Sequence, residues 1–178
     1  MRCVIVAIIR GEIEELYKII ADDISKKFSI QNVANRIQCH MTLKYPFECN
    51  DDEVGKIEKK IQEVANSTKI SEFKTSKFGS FDRKTIYFFV EDNSELVKDL
   101  KLCVEKLGIF DEDRKFDSDN YHPHISVARN IPSDIFTNVW DYVVSQYEPV
   151  LRGKFDNISL LEEKGGVWVT RKVFDFSN

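Results

Sequence analysis

Residues 39–47 read CHMTLKYPF and residues 121–129 read YHPHISVAR. Each stretch holds a histidine, one spacer, a hydroxyl residue and an apolar residue: His40-Met41-Thr42-Leu43 and His124-Ile125-Ser126-Val127. The chain has only three histidines, so two of them in one four-residue pattern demand a structural reason. Alternation of polar and apolar residues predicts a strand over about 37–45, ending at Pro46, and a second over 123–129. On a strand, residues i and i+2 share a face about 7 Å apart. His40 then shares a face with Thr42, and His124 with Ser126, while Met41, Leu43, Ile125 and Val127 point into a core.

Working outward, both motif strands sit in similar surroundings. Residues 3–9 (CVIVAII) form a short apolar run suited to a buried strand. Apolar residues at 13, 16, 17, 20 and 24 mark one face of a helix over 11–28. Asn50 followed by Glu53 reads as a capping box opening a helix to about Asn66. Strands near 70–78 and 85–91 follow, joined by GSFDRK. The second half repeats the order: a helix over 94–107 stopped by Gly108, the second motif strand, and a helix started by Pro132. That helix carries the stripe Ile135, Phe136, Val139, Trp140, Val143 and Tyr147. Two last strands, about 150–162 and 167–176, turn at Gly165-Gly166. The reading is an α+β fold in one bilobal domain over 1–178, with half-repeats of about 1–92 and 93–178. Two pseudo-symmetric lobes, each a mainly antiparallel sheet with helices outside, are expected to face across a central cleft.

The bulk properties narrow the function. The 178 residues are 42% hydrophobic and 31% charged, the balance of a globular chain. A net charge of −4 gives no basic field to recruit long nucleic acid, so any nucleic-acid partner is a short piece or an end. The N-terminal apolar run is too short for a membrane span and lacks a cleavage pattern. Cys3, Cys39, Cys49 and Cys103 lie far apart in sequence with no CxxC pair, which predicts core thiols in a reducing cytoplasm. A cytoplasmic monomer acting on short substrates is expected.

If the two motif strands form opposite walls of one cleft, two imidazoles and two hydroxyls converge. That set suits phosphodiester cleavage. One neutral imidazole takes a proton from the attacking oxygen and the other, protonated, gives one to the departing oxygen. Thr42 and Ser126 donate hydrogen bonds to the non-bridging oxygens. No cofactor is called for. Two other readings stand beside this one. His40, His122 and His124 together would make a three-histidine zinc hydrolase, since an HxH pair on a strand faces one way. A cleft of the same shape could also be a non-catalytic module that binds a nucleotide or an RNA end.

HMTL and HISV, one in each half of a chain this long, resemble the paired HxTx motifs of the two-histidine (2H) phosphoesterase superfamily. HMTLKYPF, FGSFDRKTIYFFV and YHPHISVARN together are similar to the 2′-5′ RNA ligase-like branch, whose members also act as RNA 2′,3′-cyclic phosphodiesterases. The resemblance spans the whole chain. It implies the bilobal fold, metal-independent opening of a 2′,3′-cyclic phosphate to a 2′-phosphate, and catalytic roles for His40, Thr42, His124 and Ser126. A 2′-5′ ligase or phosphodiesterase activity is implied with it. Ser126 stands where threonine is common in such proteins and supplies the same donor. The similar proteins also place an aromatic and a basic residue near the cleft in the segment of Phe81 and Arg83. Phe81 would stack on a base, and Arg83 would meet a phosphate or a base edge. Lys44, just past the first motif, is the better phosphate candidate, because counting by two from His40 puts it on the cleft face. Arg129, the corresponding candidate just past the second, falls on the other parity from His124 and reads as a surface charge unless the strand is bulged or already ending. Tyr45, Tyr87 and Tyr121 are further candidates for the cleft wall. The partner expected is a short RNA or a nucleotide bearing a cyclic phosphate. Sequence leaves open which histidine is the base.

Overall fold

The N-terminal apolar run forms β1 (Arg2–Ile8), in which every residue after Arg2 is buried. A strand this apolar needs neighbours on both edges. It pairs antiparallel with β2 (His40–Glu48) on one side and β7 (Asn157–Lys164) on the other. The structure, a computed structural model, describes residues 1–91, 94–107 and 122–177. Within them lie α1 (Glu12–Phe28), α2 (Asp51–Asn66), β3 (Ser71–Phe81), β4 (Thr85–Val90) and α3 (Ser94–Leu107). Then come β5 (His124–Ala128), α4 (Phe136–Gln146), β6 (Leu151–Phe155) and β8 (Val167–Asp175). Among the described residues no helix is long and apolar enough to cross a membrane.

The strands form two antiparallel four-stranded sheets, in the orders β2-β1-β7-β8 and β5-β4-β3-β6. The α+β class and the paired sheets agree with the sequence reading. The way the halves build them does not follow sequence order. The unit β1-α1-β2-α2 belongs to the first sheet, and its next strand, β3, crosses to the second. The unit β4-α3-β5-α4 belongs to the second sheet and sends β7 back to the first. In each case a strand of the same sheet, β1 or β4, precedes the helix, motif strand and second helix. Between the paired Phe81 and Thr85 the β3–β4 connection has three residues; Asp82 and Arg83 take positive φ, and Lys84 N–H closes the turn on the Phe81 carbonyl at 2.9 Å.

Two boundaries differ from expectation. The run expected as one strand over 150–162 is two, β6 and β7, in different sheets. The crossing is fixed by the buried side chain of Asn157. Its Oδ1 accepts from the Ile8 amide at 3.1 Å, and its Nδ2 donates to the Ile8 carbonyl at 2.8 Å, completing the end of β1 as a backbone strand would. Pro132 opens a turn, closed by Ile135 N–H on the Pro132 carbonyl at 3.2 Å, and α4 starts only at Phe136. Gly108 lies outside the described residues.

The helices cover the outer faces through the stripes expected of them. Ile13, Tyr17, Ile20, Ala21 and Ile24 of α1 are buried at helical spacing, each large apolar side chain contributing roughly 1.5–3 kcal/mol. Tyr17 also donates its hydroxyl to the Ile37 carbonyl at 2.8 Å, tying α1 to the approach to β2. The Asn50–Glu53 capping box opens α2 as read from sequence. Tyr142 of α4 and Tyr147 just past its end both donate to the Asp23 carboxylate of α1, which joins the two helices. The four cysteines are buried free thiols, with the sulfur of Cys3 in β1 3.5 Å from that of Cys49, just past β2.

Candidate active site

β2 and β5 occupy equivalent outer positions of their sheets and lie against each other, so the two motifs meet where the sheets meet. His40 is the first residue of β2 and His124 the first of β5. Both line one cavity of about 390 Å³, together with Thr42 and Ser126. His40 Nδ1 lies 2.7 Å from the Gln38 carbonyl, and His124 Nδ1 lies 2.8 Å from the His122 carbonyl. A carbonyl oxygen only accepts, so each Nδ1 carries the proton and each neutral ring keeps an unprotonated Nε2. The same bond, two residues back, recurs in both halves.

Burial and nearby charge both favour the neutral form of the two rings. Burial pushes the His40 imidazole down to about 4, opposed by its bond to the Gln38 carbonyl and reinforced by the charges of Arg129 and His124. Burial also lowers His124, with the His122 carbonyl opposing and Arg129 and His122 adding to the effect. Arg129 thus acts on both histidines at once. Among the described residues lining the cavity there is no Asp or Glu, and Arg129 is the one guanidinium.

The register explains why Arg129 is there and Lys44 is not. In β2, Val6 pairs with Thr42 and Ile5 with Lys44, leaving Leu43 as the extra residue of a β-bulge. In β5, Tyr87 pairs with Ser126 and Ile86 with Ala128, leaving Val127 as the extra residue. The bulge falls on the fourth residue of each motif. It turns two successive side chains inward: Leu43 and Lys44 in one half, Val127 and Ala128 in the other, all buried. Parity then flips, and the next residues to reach the cavity are Tyr45 and Arg129, each five past its histidine. Counting by two without the bulge placed Lys44 at the cleft. It is instead 3% exposed, its ammonium 5.3 Å from the centre of the Phe47 ring, and it is not among the lining residues.

The other expected residues divide. Phe81 lines the cavity, its ring edge-on to His124 with centroids 4.8 Å apart. Arg83 is turned away: its guanidinium donates to Thr137 Oγ1 at 2.7 Å and lies over the Phe136 ring. Tyr87 backs Phe81, the rings stacked at 4.3 Å. Tyr121 lies outside the described residues. His122 is exposed at the cavity edge just before β5. Among the described residues no group of three or more His, Cys, Asp or Glu side chains is arranged to hold a metal ion. Sequence reasoning missed Trp168 of β8, which closes one rim; its amide donates to the Arg36 carbonyl at 2.7 Å. VWV reads as an ordinary strand, and only its pairing to β7 brings the indole to the cavity.

Two sheets joined along motif-bearing strands, with a histidine and a hydroxyl from each, define a two-histidine phosphoesterase architecture. The family comparison gives the particular assignment. Residues 11–167 match the model of the 2′-5′ RNA ligase superfamily, and the chain belongs to that family. A Geobacillus thermodenitrificans protein whose name places it provisionally among phosphoesterases is 31% identical over 140 residues, covering 76% of each chain. TT0787 of Thermus thermophilus shares the fold with a TM-score of 0.63 at 16% identity, over 99% of this chain and 98% of that one. The E. coli LigT structure complexed with 3′-AMP superposes with a TM-score of 0.63 at 13% identity and the same coverage.

Proposed function

We propose that the protein opens 2′,3′-cyclic phosphodiesters, at RNA ends or on nucleotides, to 2′-phosphates, with no step that calls for a metal. The observation that carries this reading is the matched pair of Nδ1–carbonyl bonds, which leaves two Nε2 atoms for one anion-receptive cavity. A bound phosphodiester brings a negative charge that offsets the burial depressing both imidazoles. Their mutual repulsion then favours one proton on the pair over two. The neutral imidazole takes a proton from water as its oxygen attacks phosphorus. The P–O3′ bond breaks, and the imidazolium gives its proton to O3′. Thr42, Ser126 and Arg129 hold the non-bridging oxygens, where charge builds in the transition state. With an RNA 5′-hydroxyl attacking phosphorus in place of water, and P–O3′ breaking in the same way, these groups would form a 2′-5′ phosphodiester, in keeping with the family name. That E. coli LigT has been crystallised with 3′-AMP supports a nucleotide-sized ligand.

His40→Ala and His124→Ala test the reading. Each should lower kcat about 10²–10⁴-fold while nucleotide affinity stays nearly intact. A change confined to affinity would make the cavity a binding module.

A further inference from the structure

Across the second sheet, Ser126 of β5, Tyr87 of β4 and Gly79 of β3 lie in one row, each paired with the next. A Cβ at Gly79 would stand 2.3 Å from Cζ, 2.4 Å from Cε2 and 2.5 Å from the hydroxyl oxygen of Tyr87. The phenol ring therefore lies flat across β3, over ground that only glycine leaves open. Gly79 has no positive φ, so the need is for space and not for an unusual backbone.

The placed ring is the base of a stack that reaches the site. Phe81 stacks on it at 4.3 Å with 24° between planes. His124 meets both rings edge-on, at 4.8 Å from Phe81 and 5.4 Å from Tyr87. With Nδ1 bonded to the His122 carbonyl and two aromatic rings against it, the imidazole has one orientation. Leaning toward β3, Tyr87 also leaves the Ser126 hydroxyl to the cavity, of which Ser126 is a lining residue and Tyr87 is not. A methyl group at position 79 would push the ring back over β4, toward Ser126 and His124.

We propose that Gly79 is a positioning residue: its missing side chain seats Tyr87 across β3, and Tyr87 with Phe81 sets the orientation of His124. This rests on the reading of His124 as an acid–base group. The displaced atoms are the far end of a side chain, so Gly79→Ala keeps the fold while it moves the stack.

The experiment is a cycle of Gly79→Ala, Tyr87→Ala and the double variant. It is read by kcat and KM on a 2′,3′-cyclic phosphate substrate and, separately, by NMR titration of the His124 imidazole. Gly79→Ala should keep the thermal midpoint near that of the parent, lower kcat about 100-fold, as a displacement of order 1 Å does, and leave KM little changed. The His124 titration should move in Gly79→Ala and in Tyr87→Ala. In the Tyr87→Ala background, Gly79→Ala should cost nothing more. An equal loss in both backgrounds, or a fall in rate with an unmoved His124 titration, would overturn the proposal. Tyr87→Ala introduces no clash and carries the test should Gly79→Ala not fold. The titration needs no turnover, so failure of the substrate reading is distinguishable from failure of this one.

Discussion

His40 and His124 make one bond in common: each donates Nδ1–H to the carbonyl two residues before it, at 2.7 Å to Gln38 and 2.8 Å to His122. The acceptor is backbone in both cases, so the orientation of each ring does not depend on a neighbouring side chain for this bond. His122 orients His124 through its carbonyl, which any residue supplies, and its side chain adds only the smaller of the two charge effects on that ring. His122→Ala should therefore lower kcat/KM less than about ten-fold, against about 10²–10⁴-fold for His124→Ala. Comparable losses in the two variants, with restoration by added zinc, would return the site to the three-histidine metal reading.

Thr42 and Ser126 occupy matching places after the two histidines and line the same cavity. Replacing either by alanine removes one donor to a non-bridging oxygen and should lower kcat by up to about 10²–10³-fold. Ser126→Thr should stay near the parent rate, because the hydroxyl is kept. Steady-state kinetics of the three variants decides this, and a Ser126→Thr variant as slow as Ser126→Ala would contradict the donor role.

Arg129 and Lys44 separate the bulged register from the unbulged one. Arg129→Gln removes the cation of the cavity wall and should raise KM roughly 10–100-fold, the size of a charge-assisted hydrogen bond. It also removes a charge that disfavours protonation of both histidines. The acid limb of the kcat/KM profile should accordingly move to higher pH. Lys44→Met, which keeps the buried stem, should leave KM unchanged. A large KM effect at Lys44 with none at Arg129 would sink the assignment.

His40 makes stability depend on pH in a stated direction. Its folded value of about 4 lies below the ordinary 6.5, so between these values the unfolded chain binds more protons than the folded one. Stability contributed by the neutral ring is whole above about pH 6.5 and is lost as pH falls toward 4. The loss is bounded at roughly 3.5 kcal/mol, from about 1.4 kcal/mol per pH unit. His40→Gln should flatten this part of the curve relative to the parent, as read by denaturant unfolding at a series of pH values. Parallel curves for the two proteins would show that His40 titrates normally in the fold.

Much of the arrangement was legible because its signals are local. Hydrophobic periodicity marks α1, the Asn50–Glu53 pair marks the start of α2, and strand alternation places each histidine with its hydroxyl. What was not legible depends on pairing. The bulges at Leu43 and Val127 add one residue against a partner strand, and nothing in LKY or VAR announces them. Lys44 in particular looks like a cleft cation until the register is known. The crossing at Asn157 hides in the same way, because GKFDNISLL reads as part of one strand unless the buried amide is seen completing β1. Trp168 and Gly79 depend on neighbours from other strands, one by way of β7 and the other beneath Tyr87.

The central claim is tested most directly by incubating the protein with 2′,3′-cyclic AMP, and with a short RNA ending in a 2′,3′-cyclic phosphate, in excess EDTA. The product is assigned by phosphorus NMR across a range of pH. Release of the 2′-phosphate, untouched by chelation and bell-shaped in pH, is the predicted result. A 3′-phosphate product, activity abolished by EDTA, or no turnover by protein that binds the nucleotide would contradict it.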